Sequence, residues 1–172
     1  VLAYAQSAKN PPAGYIAASP WLSLSRPPSI WLEEIARMLN LVFPSWRFPT
    51  GIGPGDNSRD QALLDSFPDL DKGHQFITVR TYFEIIKMSR QLMVRPLANA
   101  PVLLTHGQAD AVTSIDATRA YFEKLIAPSK AFIAYPEGRH ELHNDLIRAT
   151  VLNDYLDWIQ GKCRLRNADC EM

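Results

Sequence analysis

The sequence predicts an α/β protein. A parallel sheet has strands near 14–19, 101–106 and 130–136, with helices between them and one mostly helical insertion. Three observations predict it. The runs "PVLLTHG" and "KAFIAYPEG" are continuously apolar, as strands buried on both faces should be. Each is followed by a helical pattern, at the strand–helix–strand–helix spacing of βαβ units. Residues 20–75 change texture, becoming rich in Pro and Trp, so the regular pattern is interrupted rather than extended. The expected organisation is a core formed by 1–20 and 96–172, with 21–95 inserted.

The elements follow in order. Residues 1–9 read as a helix ended by Asn10 and "PPAG", and "GYIAAS" is a short apolar run of strand length stopped by Pro20. Within the insertion, Ser29 can cap a helix whose first turn carries Glu33 and Glu34 and whose apolar face is Trp31, Leu32, Ile35, Met38 and Leu39. A second helix is expected from Thr78 to Met93, with Val79, Phe83, Ile86 and Met93 on one face. "SIDATRAYFEKLIA" (114–127) starts at a capping Ser114. The last helix, 144–160, is expected to be capped by Asn144, with Ile147, Val151, Tyr155 and Ile159 recurring every four residues. "GIGPG" (51–55) joins no strand to a helix and reads as a loop, not a dinucleotide fingerprint.

With 172 residues the chain is long enough for one domain with a core. A hydrophobic share of 47% against 21% charged is a globular balance. A net charge of zero gives no footprint for nucleic acid, and the cluster Lys162, Arg164 and Arg166 reads as a solvated tail. No apolar run reaches the ~20 residues of a membrane span. No charged start precedes an apolar stretch as in a signal peptide. Position 1 is Val, compatible with processing or with a piece of a longer protein. Cys163 and Cys170 are compatible with a small disulfide-closed loop or with two free thiols.

Ligands of open parallel sheets bind beyond the carboxyl ends of the strands. Two such ends are readable. "THGQAD" places Asp110 three residues past Gly107, and "PEGRH" places His140 just past Gly138. Neighbouring strands lie about 5 Å apart, so side chains on these end loops can touch. An Asp that takes the imidazole Nδ1 proton fixes the tautomer and leaves Nε2 as a general base. Taken alone, Asp110 reads as a turn cap and His140 as a polar residue near a helix start; their joint position at consecutive strand ends favours function. His143 reads as a structural residue of the last helix's first turn, His106 as packing under the site, and His74 as a surface or loop residue. The histidines of "HELH" are three apart at a loop-to-helix junction. Zinc proteases place theirs four apart on one helical face, so no metal is expected.

The pairing of "PVLLTHGQADAVTS" with "YPEGRHELHND" resembles the C-terminal half of α/β-hydrolases, and within them the monoacylglycerol lipase and lysophospholipase branch, the serine aminopeptidase-like group. Pro101, Leu103, His106, Gly107 and Asp110 fit that branch's P-x-L-x-x-H-G-x-x-D segment. Tyr135, Pro136, His140, Leu142 and His143 fit its Y-P-G-x-x-H-E/V-L-H segment, with Glu137 before Gly138 as a departure. "NSRD", "HQFITVRTYFEII" and "PSWRFPTGI" are similar to parts of its cap. The resemblance covers almost the whole chain.

It implies an acyl-enzyme serine hydrolase of lipid esters such as monoacylglycerol or lysophospholipid, without a cofactor. His140 is the implied base and Asp110 its orienting acid. The insertion becomes a cap, in which Trp31, Leu32, Ile35, Phe83 and Ile86 line an acyl tunnel, touch a lipid surface, or pack the cap on the core. The family's nucleophile is the serine of a G-x-S-x-G elbow, and no such segment occurs here. The chain is therefore expected to begin just after the elbow, to lack the serine and the oxyanion hole, and to be inactive alone. Ser19, in "AASPW", is not in a strand-to-helix elbow and is not expected to replace it. A peptidase of the same fold and a truncated, non-catalytic binding module are the alternatives. Localisation is expected to be cytoplasmic or peripheral to a membrane.

Overall fold

The computed structural model describes residues 1–66, 75–161 and, as backbone, 168–171. His74, Cys163, the Cys170 side chain and the Lys162–Arg166 cluster lie outside the described residues. The main sheet runs in the order β1 (Tyr15–Ala18), β4 (Val102–Gly107), β5 (Lys130–Tyr135), β6 (Ala168–Glu171). β1, β4 and β5 are parallel, as expected, with Tyr15 opposite Val102 and Val102 opposite Lys130. β6 adds an antiparallel edge strand that the sequence reading lacked. Its sequence, "ADCE", carries no apolar run, because an edge strand need not be buried on both faces.

All six residues of β4 are buried, and alternate side chains face opposite ways. Val102 and Leu104 pack with Tyr121, Phe122, Phe132, Leu92, Leu2 and Ala5. Leu103 packs on the other face with Ile133, Tyr135, Leu142 and Val151. The first cluster takes its helical residues from α1 (Leu2–Ser7), α5 (Val79–Val94) and α6 (Ile115–Lys124), and the second from the 3-10 turn Leu142–Asn144 and α7 (Arg148–Ile159). Helices thus cover both faces, which is why β4 and β5 read as unbroken apolar runs. Each fully buried Val or Leu contributes about 1.5–3 kcal/mol.

The segment expected as an insertion holds α2 (Ile30–Val42), β2 (Arg47–Pro49), α3 (Pro54–Asn57), α4 (Gln61–Ser66) and β3 (Phe76–Thr78), and leads into α5; the 51–55 stretch, expected to join no strand to a helix, runs from β2 into the short α3. β2 and β3 form an antiparallel pair that three-residue strands, one ending in Pro49, could not announce by periodicity. Ser29 caps α2 by accepting the Leu32 N–H, as expected, yet α2 buries none of its residues. In α5 the buried face is Val79, Tyr82, Ser89 and Leu92, rotated from the expected Val79–Phe83–Ile86–Met93 stripe. Tyr82 turns inward to sit edge-on between Phe48 and Phe83, and Ser89 donates to the Trp21 carbonyl.

The last helix departs most from expectation. Residues Leu142–Asn144 form a 3-10 turn, and α7 starts only at Arg148 without a side-chain cap. Asn144 therefore does not cap it; its amide donates to Glu141. Ile159 is exposed, while Asp154 is buried because it accepts the Tyr135 hydroxyl at 2.9 Å.

Candidate active site

The ends of β4 and β5 are brought together by a glycine contact. A Cβ on Gly107 would stand 2.1 Å from the Gly138 carbonyl oxygen and 2.6 Å from that of Arg139. Only glycine lets the two strand-end loops approach this closely. Backbone bonds then stitch them: Gln108 N–H to the Tyr135 carbonyl at 2.8 Å and Ala109 N–H to the Gly138 carbonyl at 3.0 Å.

The structure places Asp110 and His140 together on these loops. His140 Nδ1 lies 2.9 Å from Asp110 Oδ2, with the carboxylate fully buried and the imidazole 27% exposed. Asp110 Oδ1 accepts the Val112 and Thr113 N–H groups at 2.7 and 2.9 Å. Oδ2 also accepts the Thr113 hydroxyl at 2.9 Å and lies 3.1 Å from His106 Nε2. Burial pushes the Asp110 carboxyl up, but hydrogen bonds from His106, His140 and the Thr113 backbone, with the His140 charge, hold it well below the usual carboxylate range. An ionised Asp110 accepts the Nδ1–H of His140 as a hydrogen bond and leaves Nε2 with its lone pair, which has no hydrogen-bond partner among the described residues.

His106 lies under the site, as expected, fully buried with Nδ1 2.9 Å from the Thr118 hydroxyl. Thr113 had escaped the sequence reading. Its hydroxyl also reaches the Ser19 carbonyl at 3.3 Å, tying the end of β1 to the same cluster. The Ser19 hydroxyl is buried and without a partner among the described residues. His143 stands exposed on the 3-10 turn. Among the described residues no group of three or more His, Cys, Asp or Glu side chains could hold a metal ion.

A cleft of about 420 Å³ lies between the insertion and the Asp110 loop, lined by Trp21, Leu32, Phe48, Ile52, Tyr82 and Val112 among others. Val112 is the residue whose N–H holds Asp110, so the cleft wall and the Asp–His pair share a loop. Of the five expected lining residues, Leu32 faces this cleft, and Ile86 lines a smaller neighbouring pocket of about 210 Å³. Phe83 packs on Tyr82 under the Arg37 guanidinium. Trp31 and Ile35 are exposed by 82% and 57%. Phe48, Ile52 and Tyr82 were missed because they come from the short hairpin, the loop beyond it and the rotated α5 face.

The family model for serine aminopeptidase, S33, matches residues 1–147. An uncharacterized abhydrolase domain-containing protein of Dictyostelium discoideum is 26% identical over 162 residues, covering 93% of this chain and 17% of that protein. A putative monoglyceride lipase of Schizosaccharomyces pombe is 24% identical over 148 residues, covering 84% of this chain and 39% of that protein. A soluble variant of the Saccharomyces cerevisiae monoglyceride lipase, solved with a substrate analog, superposes with a TM-score of 0.77 at 22% identity, covering 94% of this chain and 57% of that one. The Paleococcus ferrophilus monoacylglycerol lipase superposes at 0.71 with 24% identity, covering 87% and 59%. The chain thus spans well under two thirds of the length of these relatives. With residues 1–147 matched by the family model and the parallel sheet superposing on these lipases, the chain belongs to the serine aminopeptidase S33 family and has a partial α/β-hydrolase fold of the monoacylglycerol lipase type.

Proposed function

We propose that the protein is a serine hydrolase of lipid carboxylic esters, such as monoacylglycerol or lysophospholipid, with His140 as general base and Asp110 as its orienting carboxylate. The observation that carries this reading is the 2.9 Å hydrogen bond between His140 Nδ1 and a fully buried Asp110 beside an apolar cleft. His140 Nε2 takes the proton of a serine hydroxyl as its oxygen attacks the ester carbonyl. The same proton passes to the leaving alcohol as the C–O bond breaks. A water molecule then gives its proton to His140 and opens the acyl-enzyme, returning serine and a free fatty acid. No G-x-S-x-G occurs in the 172 residues; we infer that serine and oxyanion hole come from outside them, and that these residues alone are inactive.

Esters are favoured over peptides with a free amine, because the carboxylate in the cleft is already engaged. Asp56 accepts the Gly53 N–H at 2.8 Å. Glu33, in the neighbouring pocket, pairs with Arg37 and Arg90. The exposed apolar face of α2, including Ile30, Trp31, Met38 and Leu41, supports contact of the cap with a lipid surface, and so a peripheral membrane location.

The test uses the parent protein, assayed on a monoacylglycerol and labelled with a fluorophosphonate. His140→Ala should abolish labelling and lower kcat/KM by more than about 10⁴-fold, and Asp110→Asn should lower kcat about 10⁴-fold. The 172 residues alone should take no label. Full activity in the His140 variant, or faster cleavage of an aminoacyl amide than of the ester, would refute the reading. A parent that never labels would make the fold a binding module.

A further inference from the structure

We propose that Arg59, in the insertion, is a positioning residue for His140 that acts through the buried carboxylate of Asp145. The proposal rests on the reading of His140 as the base. His140 lies between β5 and the 3-10 turn, in a stretch with no regular element of its own. Its conformation is set from outside, by residues 56–59 at the end of α3 and the start of its connection towards α4. The His140 N–H reaches the Asp56 carbonyl at 3.4 Å and the Glu141 N–H reaches that of Asn57 at 2.8 Å. The Ser58 hydroxyl donates to the Asn144 carbonyl at 2.7 Å.

Arg59 closes this set with its planar fork. Nε donates to Asp145 Oδ1 at 2.9 Å and Nη1 to Glu137 Oε2 at 2.7 Å, so one guanidinium holds both ends of the loop that carries His140. Asp145 transmits the constraint. It is fully buried, and its Oδ2 accepts the N–H of Arg139, the residue before His140, at 3.0 Å. The other two nearby arginines are committed elsewhere: Arg139 to the Gly55 carbonyl and Arg148 to Asp60. Among the described residues Arg59 is thus the cation paired with the Asp145 carboxylate. Without it, that carboxylate is a buried charge that must recruit water or another cation, and the Arg139 peptide moves with it.

The insertion therefore fixes the base as well as covering the cleft. An Asp–His pair holds its reactive geometry only within about 0.5 Å, and a 1 Å displacement can cost roughly 100-fold in rate.

The experiment compares Arg59→Met, Arg59→Lys and Arg148→Ala. Arg148→Ala removes another ion pair between insertion and core but leaves the Asp145 carboxylate alone. The first readout is the downfield Nδ1 proton resonance of His140 in the 172-residue chain, which needs no catalysis. The second is kcat and KM of the parent on a monoacylglycerol. Arg59→Met should shift or broaden the resonance and lower kcat by roughly 100-fold, with KM changed less than about threefold. Arg59→Lys, a point charge that cannot span both carboxylates, should recover only part of each. Arg148→Ala should lower stability while leaving resonance and kcat near wild type.

A folded Arg59→Met chain that keeps both would overturn the proposal. Should Arg59→Met not fold, Arg59→Lys decides: wild-type resonance and kcat in that variant overturn it equally. If instead His140→Ala leaves the parent active, the hydrolase reading fails, and the resonance still decides whether Arg59 positions His140.

Discussion

Asp110 accepts two donors on Oδ1, from Val112 and Thr113, and three on Oδ2, from Thr113, His106 and His140. Such a carboxylate is stabilised only while ionised. Its folded-state pKa lies below the ordinary value of 3.8, so its contribution is complete above the unfolded value and is lost as pH falls through the folded one. Asp110→Asn should cost about 3 kcal/mol in urea unfolding at pH 7. The difference between the two proteins should hold down to about pH 5 and shrink below about pH 4. A difference that grows on acidification would contradict the assignment. Ser19 offers the opposite case. It has a φ of 42°, in the left-handed region, and its buried hydroxyl is unpartnered among the described residues. Ser19→Gly should therefore stabilise the chain by about 0.5–1 kcal/mol, measured in the same denaturation. Asp110 and His140 were legible because both follow an apolar strand and a glycine, a pattern local to ten residues. Arg59 and Asp145 were not, because their pairing exists only across loops. Arg59 meets Asp145 at a separation of 86 positions, for which periodicity carries no signal.

At the scale of elements, the site depends on how closely β4 and β5 end. Gly107 is not at a positive φ; its need is space against the Gly138–Arg139 backbone. A backbone neighbour cannot rotate away as a side chain can. Gly107→Ala should therefore cost at least the upper end of overpacking, about 3 kcal/mol, and part the loops of Asp110 and His140. Loss of the His140 downfield resonance alongside a lowered midpoint would show both; a variant with wild-type stability would show that the strand ends have slack. The parallel strands and their two helices were readable because burial on both faces writes itself into sequence as an unbroken apolar run. The elements that were missed are short ones whose sequence carries no such run, namely α3, α4, β6 and the β2–β3 pair. α2 shows the limit of the same reasoning. Its amphipathic stripe predicts a helix, yet the stripe says nothing about what covers it, and in the structure none of its residues is buried.

At the scale of the whole molecule, two surfaces are left uncovered by the described residues. Trp31 and Leu41 on α2 are exposed by 82% and 83%, with Ile30, Met38 and Val42 beside them. β1 is hydrogen-bonded by β4 on one side and by no described strand on the other. An apolar helix face and an open strand edge both invite association. The net charge of zero and pI of about 7.1 remove the repulsion that would oppose it near neutrality. The 172-residue chain should sediment as concentration-dependent oligomers at pH 7, and dissociate in a mild non-ionic detergent or on moving to pH 9, where net negative charge builds up. Trp31→Ser with Leu41→Ser should weaken association and vesicle binding while changing unfolding free energy by no more than about 0.5 kcal/mol each, since neither side chain is in the core. Association that survives both substitutions but falls with a lysine at Ala18, exposed on β1, would assign it to the strand edge instead. A chain that stays monomeric at high concentration without detergent would mean that neither surface drives assembly.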